Sequence, residues 1–153
     1  MAKMKEMSVV AEEACGWPNL TRLPNGEVIC VYFNAPSHGL EEGDLVCAVS
    51  DDGGLNWKPR GVVAPHPEGG NRMHLAVGLA ANGDLLAFSS GFFVEDEEFT
   101  GFAGQWLSRS SDGGRTWDVD EKPSIPEPCV GAIPFGRVIQ LSDGRLAYTC
   151  YRS

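Results

Sequence analysis

Basic residues are scarce in this chain. Twelve lysines and arginines stand against 21 aspartates and glutamates among 153 residues, for a formal net charge of −9. No run of cations occurs, which argues against a nucleic-acid partner, because phosphate-backbone affinity rests on clustered Lys and Arg that release counterions. A small anionic ligand stays compatible, since a few convergent arginines can dominate one cleft against the sign of the whole surface. Cysteine motifs are missing too: Cys15, Cys30, Cys47, Cys129 and Cys150 show no C-x-x-C spacing, so neither a zinc ribbon nor a redox motif is indicated. Cys30, Cys47 and Cys150 lie in apolar runs and are expected as reduced, buried small hydrophobes. The three histidines lack ligand spacing, and no metal or cofactor is expected. The first 16 residues hold no apolar signal-peptide core and no stretch is long enough to span a bilayer, so no membrane partner is expected. A sustained 3.6-residue apolar period is also absent; the only helix candidates, the chain start and the acidic connector VEDEEFTG (94–101), do not carry one.

What the sequence does hold is repetition. LPNGEVICVYF from Leu23, LAANGDLLAFSS from Leu79 and LSDGRLAYTCY from Leu141 each read as a strand end, an Asn-Gly or Asp-Gly turn and an apolar strand. Their turn residues Asn25, Asn82 and Asp143 stand 57 and 61 residues apart. A second marker, Ser-x-Asp-x-Gly-x-x-Trp, occurs at Ser50, Asp52, Gly54 and Trp57 and again at Ser110, Asp112, Gly114 and Trp117, with the aspartates 60 residues apart. Two markers sharing one period, with short strands and turns between them, predict an all-β propeller of four-stranded antiparallel blades.

The second marker has a local physical logic. Each aspartate can accept hydrogen bonds from its own turn's N–H groups, and each serine can add another. The paired glycines supply positive φ where the chain reverses. The tryptophan can then fold under the loop between neighbouring sheets, contributing buried area and one N–H donor. Calcium is the alternative reading of such an acidic loop, but it requires alternating oxygens and a late bidentate glutamate that neither copy has.

At these residues the sequence resembles the sialidase (neuraminidase) superfamily, whose members carry Asp-box, or bacterial neuraminidase, repeats at about one per blade. The likeness runs from Trp17 onward. It implies about two and a half blades of a six-bladed ring: residues 1–16 as an N-terminal strand or tail, 17–68 as one blade, 69–127 as a second and 128–153 as the first half of a third. MSVVAEE (7–13) is a candidate outer strand of a last blade. In an up-and-down blade the first and third turns share one face, so both boxes lie opposite the ligand side. That side is expected to comprise residues 34–44, 66–74, 94–104 and 126–137.

The resemblance further implies a substrate carboxylate held by three arginines, an acid/base aspartate from an early loop, and a tyrosine nucleophile paired with a glutamate. Asp44 stands where the acid/base is expected; with Glu41 and Glu42 beside it, a solvated acidic loop is the alternative. Arg72 and then Arg137 are the arginines placed to meet a carboxylate, for which a bidentate guanidinium is suited. His38 and His74 are candidates for contacts to sugar hydroxyls or ring faces. Arg22 falls near the first turn and so on the wrong face, while Tyr32, Tyr148 and Tyr151 lack the nucleophile's partner context.

Two functions follow. One is a fragment of a sialidase-like glycoside hydrolase acting on terminal sialic acid of glycans, without turnover as this isolated chain. The other is a non-catalytic propeller module that binds glycan or protein, or a structural propeller that self-assembles to cover its open blade faces. For the boxes themselves, a calcium titration is expected to leave the thermal midpoint unchanged; a rise with calcium would show that they hold the ion.

Overall fold

The computed structural model describes residues 7–152, and every regular element among them is a β-strand. Strands β1 (Asn19–Arg22), β2 (Val28–Phe33), β3 (Leu45–Ser50) and β4 (Lys58–Ala64) form a four-stranded antiparallel sheet in chain order. Strands β5 (His74–Leu79), β6 (Leu85–Glu95), β7 (Glu98–Ser110) and β8 (Asp118–Asp120) form a second antiparallel run. Strands β9 (Ile133–Gln140) and β10 (Leu146–Tyr151) extend it to six strands in the order β10-β9-β5-β6-β7-β8.

The join in the six-stranded sheet differs from the separate sheets expected for 69–127 and 128–153. A short parallel pairing sets Ala76 beside Gly136 and Val77 beside Arg137. Glycine makes the approach possible: a Cβ added at Gly78 would run into the Val138 carbonyl oxygen.

The three Asn-Gly and Asp-Gly turns share one construction. In the first, the Gly26 amide donates to Leu23 O at 3.0 Å and the Leu23 amide to Glu27 O at 2.8 Å. The same pair of bonds links Gly83 with Ala80 and Ala80 with Asp84, then Gly144 with Leu141 and Leu141 with Arg145. Gly26, Gly83 and Gly144 sit at φ 93°, 88° and 88°, and an added Cβ would meet no neighbour at Gly26 or Gly83. Glycine is needed there for the left-handed conformation, as in a three-residue hairpin loop closed by a bulge.

Two segments depart from expectation. VEDEEFTG is no irregular connector, because β6 and β7 run on to a two-residue turn at Asp96 and Glu97, with φ of 50° and 62°. The polar residues that read as a loop form the tip of a long hairpin, and its base pairs with the chain at 69–71 through Asn71 N to Phe92 O (2.9 Å) and Val94 N to Gly69 O (2.8 Å). Residues 7–16, which include the candidate strand MSVVAEE, form no strand. They lie against the outer face of the first sheet, where Val10, Ala11 and Ala14 border Cys30 and Tyr32. Residues 1–6 of the expected tail are outside the described residues.

One core joins the two sheets. Ile29, Val31, Phe33, Leu45 and Val63 from the first pack with Leu75, Val77, Leu85 and Ala87 from the second. Full burial of each larger side chain contributes roughly 1.5–3 kcal/mol. The 110–117 loop closes this seam. Arg60 of β4 donates to Gly113 O at 2.9 Å while its other donors bind Glu27 at 2.6 and 3.0 Å, and the Cys47 thiol donates to Gly114 O at 3.4 Å. Trp117 packs against the shared core.

Gly78→Ala is expected to lower unfolding stability by about 2 kcal/mol or more in urea titrations, because neither backbone can retreat. Gly101→Ala, whose added Cβ meets only Phe93 at 3.9 Å, is expected to stay within about 0.5 kcal/mol of the parent.

Candidate functional site

Antiparallel order assembles the candidate site at one end of the sheets. The turns 23–27 and 50–57 close one end of β1–β4, so the β2–β3 loop (34–44) and the chain leaving β4 (65–73) meet at the other. Backbone and side-chain bonds then tie these pieces together. The Arg72 amide donates to Gly43 O at 3.0 Å. Asn71, fully buried, donates through Nδ2 to Gly39 O at 2.6 Å and accepts from the Phe92 amide at 3.1 Å. The long β6–β7 hairpin is thereby seated on the same rim.

Asp44 is bound twice by one residue: its Oδ1 accepts from the His66 backbone amide at 2.7 Å and lies 2.6 Å from His66 Nδ1. The other ring nitrogen, His66 Nε2, is 3.3 Å from Glu42. Glu42 also accepts the Gly69 amide at 2.6 Å. The acidic loop is therefore a built cluster around one imidazole, and the Asp44 side chain keeps 23% of its surface exposed. His66 was not singled out by sequence reasoning, although a signal existed. Leu45 pairs with Ala64, which sets the residues flanking that pair, Asp44 and Pro65–His66, side by side.

Arg72 and His74 are buried, at 2% and 5% exposure. The Arg72 guanidinium lies over the Trp106 ring, 3.0 Å from its centroid, and Nε donates to Pro65 O at 2.7 Å. Its Nη1 has no partner among the described residues. Burial pulls its pKa down to about 10, opposed by the charges of Glu121 and Asp44, so it remains a cation at neutral pH. His74 sits edge-on between Trp17 (5.4 Å between ring centroids) and Phe92 (5.7 Å). Its Nδ1 is also unpartnered. Burial, with the charge of His38, pushes its pKa down to about 4.

His38 is exposed and its ring lies 4.6 Å from that of Trp17. Trp17, His74 and Phe92 continue as a row toward Phe99 and Phe102 on the hairpin, at 4.9 and 5.9 Å from Phe92. Asp44, Arg72, His74 and His38 are thus brought to one rim. Arg137 is not tied to them; it is an exposed residue of β9 whose backbone pairs with Val77.

At the opposite end, the two tryptophan-ended loops carry matching bonds. Ser50 Oγ donates to Asp52 Oδ1 and accepts the Gly54 amide, both at 2.8 Å; Ser110 does the same with Asp112 and Gly114 at the same distances. Asp52 Oδ1 also accepts the Leu55 and Asn56 amides, and Asp112 Oδ1 those of Arg115 and Thr116. Side-chain donors from Asn56 and Thr116, added to these amides, hold both carboxyls far below the usual carboxylate range. Trp57 Nε1 donates to Gly54 O at 3.1 Å and Trp117 Nε1 to Gly114 O at 3.2 Å. The two differ in what lies beneath them: Trp117 meets the shared core, whereas Trp57 also donates to Ser8 Oγ at 3.1 Å, in the segment that precedes β1. Both carboxylate oxygens of Asp52 and of Asp112 are committed to donors within their own loops, and the arrangement is a locked turn.

No protein-family model and no curated protein matches the sequence. Solved structures do match its fold. A protein of unknown function from Dyadobacter fermentans superposes with a TM-score of 0.71 at 22% identity, over 89% of this chain and 46% of its own. A Hadza microbial sialidase gives 0.69 at 22% identity, over 88% and 32%. The sialidase of Trypanosoma rangeli, in complex with the inhibitor DANA, gives 0.64 at 13% identity, over 89% and 26%. The fold is sialidase-like, and the chain spans less than half the length of each of these structures.

The buried His74 generates a pH dependence. Its folded pKa near 4 lies below the ordinary 6.5, so the unfolded chain binds more protons between those values. The contribution of neutral His74 is complete above about pH 6.5 and is lost as the pH falls toward 4. Unfolding free energy of the native chain is expected to lose on the order of 3 kcal/mol across that window through this residue. His74→Phe should remove that part of the slope; an unchanged slope in the variant would refute the assignment.

Proposed function

We propose that the chain is part of a sialidase-like β-propeller, about two and a half blades of a six-bladed ring, with blades at 17–68 and 69–127 and half a blade at 128–153. Three observations support this. Sialidases align along most of this chain but only about a quarter to a third of their own. The two tryptophan-ended loops, read as Asp boxes, carry the same bonds at the same place in successive strand pairs. Apolar residues also stand open on the outer hairpin, among them Phe135 at 49% and Ile139 at 51% exposure.

On this reading the rim handles a terminal acidic sugar, and the chemistry is hydrolysis of a sialoside. The observation that carries the reading is the joining of the Asp44 loop to the Arg72 segment before β5 on a sialidase-like fold, through Arg72 N to Gly43 O. Asp44 serves as acid/base, with His66 holding Oδ1 and so fixing the direction of the carboxylate. Arg72 supplies a cation with a spare donor, stacked and oriented by Trp106 before substrate arrives, which lowers the ordering cost of binding. His38, exposed beside Trp17, offers a ring face to the sugar, and His74 backs Trp17 from the buried side. Arg137 joins only if substrate or the rest of the ring reaches β9.

The second reading is a non-catalytic module that binds glycan or protein, or one that assembles with copies of itself. The incomplete set of carboxylate-binding and nucleophilic groups favours it, because Arg137 lies on β9 apart from Arg72 and no tyrosine with a partner glutamate is assigned in this chain.

A fluorogenic sialoside separates the readings. The 153-residue chain is expected to show no turnover, because no tyrosine–glutamate pair or full arginine set is assigned in it. A longer protein containing it is expected to turn over, and Asp44→Asn in that protein should lower kcat/KM at least about 100-fold. Absence of turnover by the longer protein, with glycan binding kept, would establish the module reading instead.

A further inference from the structure

Cys129 and Cys150 lie apart in sequence, but their sulfur atoms are 3.9 Å from each other. Sequence reading places Cys150 among buried hydrophobes with Cys30 and Cys47. Cys30 and Cys47 are indeed sealed at 1% exposure, while Cys150 and Cys129 are both half-buried. We propose that Cys129 and Cys150 form a dithiol modification site, which a small-molecule disulfide such as oxidised glutathione converts to an intrachain disulfide tying the connector before β9 to β10.

The surroundings hold the pair in place from both sides. Gln105 of β7 donates to Cys129 O at 3.1 Å and to Ala132 O at 2.8 Å, and its Oε1 accepts the Gly131 amide at 3.0 Å. Arg152, just beyond β10, donates to Pro128 O and to Val130 O. A disulfide needs its sulfurs about 2 Å apart, so closing the gap takes an approach of about 2 Å, within the reach of side-chain rotation and a small loop shift. Side chains alternate along a strand. Tyr151 turns its ring to Phe135 on the open face, and Cys150 therefore lies on the other side, paired with the buried Pro134.

A cavity of about 210 Å³, bordered by Cys129, Cys150, Tyr151 and Arg152, opens on the pair. Arg152 gives that opening a positive charge, which suits the carboxylates of glutathione. Two of the other three cysteines are poor competitors: burial pushes the Cys30 thiol up to about 11 and raises that of Cys47, and thiolate is the reacting form.

The chemistry is two successive exchanges. The Cys129 thiolate attacks one sulfur of glutathione disulfide, that S–S bond breaks, and one glutathione thiolate leaves. Burial and the neighbouring Cys129 raise the Cys150 thiol, so it acts second: it gives its proton to solvent, attacks the Cys129 sulfur of the mixed disulfide and expels the other glutathione. Both protein thiols are oxidised and one glutathione disulfide is reduced to a pair of glutathione thiols.

This inference does not depend on the sialidase reading. The test is to equilibrate the 153-residue chain with reduced and oxidised glutathione, quench with an alkylating agent and map the peptides. Expected are a peptide link between Cys129 and Cys150, loss of one pair of alkylatable thiols that dithiothreitol restores, and a thermal midpoint raised by about 4 °C or more. Cys150→Ser should stop at a glutathione adduct on Cys129 and lose binding of phenylarsine oxide, a probe for paired thiols. A covalent dimer, a link through Cys15, Cys30 or Cys47, or separate stable adducts on Cys129 and Cys150 would overturn the proposal. The peptide map of the unsubstituted chain decides the matter even where a variant does not fold.

Discussion

The seating of the 110–117 loop on the first sheet is the constraint on which the molecule rests. Two sheets share one core only if something holds them at a fixed separation, and apolar contacts alone are non-directional. Direction comes from carbonyls. Gly113 and Gly114 present theirs to Arg60 and Cys47, and they can do so because both residues adopt positive φ, 74° and 87°. The loop offers those carbonyls in a fixed orientation because Asp112 and Ser110 have absorbed its amides. The indole of Trp117 then fills the space under the turn, adding its own bond to Gly114 O.

The rim at the far end depends on this joint, since its parts belong to different strands and meet only if the sheets keep their register. Asp44 and His66 come from the first sheet's end; Arg72 and His74 lead into β5; Phe92, Phe99 and Trp106 come from the β6–β7 hairpin. Asn71 is the local pivot. It binds Gly39 on one side and Phe92 on the other, and a Cβ on Gly91 would collide with the Asn71 carbonyl oxygen. Close backbone approach, with a buried amide saturated on both flanks, leaves this junction a single arrangement.

The all-β class and the strands flanked by Gly-containing turns were legible in the sequence because their determinants are local: a turn residue, an alternating run, an aspartate bonding within four residues of itself. What the sequence hid was non-local. The parallel β5–β9 pairing depends on the absence of a Cβ at Gly78, and nothing in the residues around Gly78 names Val138 as its neighbour. VEDEEFTG reads as a solvated connector because Asp and Glu usually are; here the acidic pair occupies the only two positions of the turn, and the phenylalanines on either side make the strands. Arg72 was visible as a residue of interest, but its stacking on Trp106 was not. Asp44 was visible as one carboxylate of an acidic loop, and its bonding to His66 emerges only when β3 and β4 are paired. Cys129 and Cys150 meet because the connector folds back, which no spacing rule encodes.

Acid should act on the two ends of the molecule in order. The Glu27 carboxylate that grips Arg60 is held down to about 2 by that guanidinium and Asn25, so the hinge between the sheets keeps its charge pairing well after the imidazole of His74 has begun to take up a proton. Mild acidification therefore loosens the end that bears the aromatic row while the opposite end stays fastened, giving the protein a built-in polarity of opening.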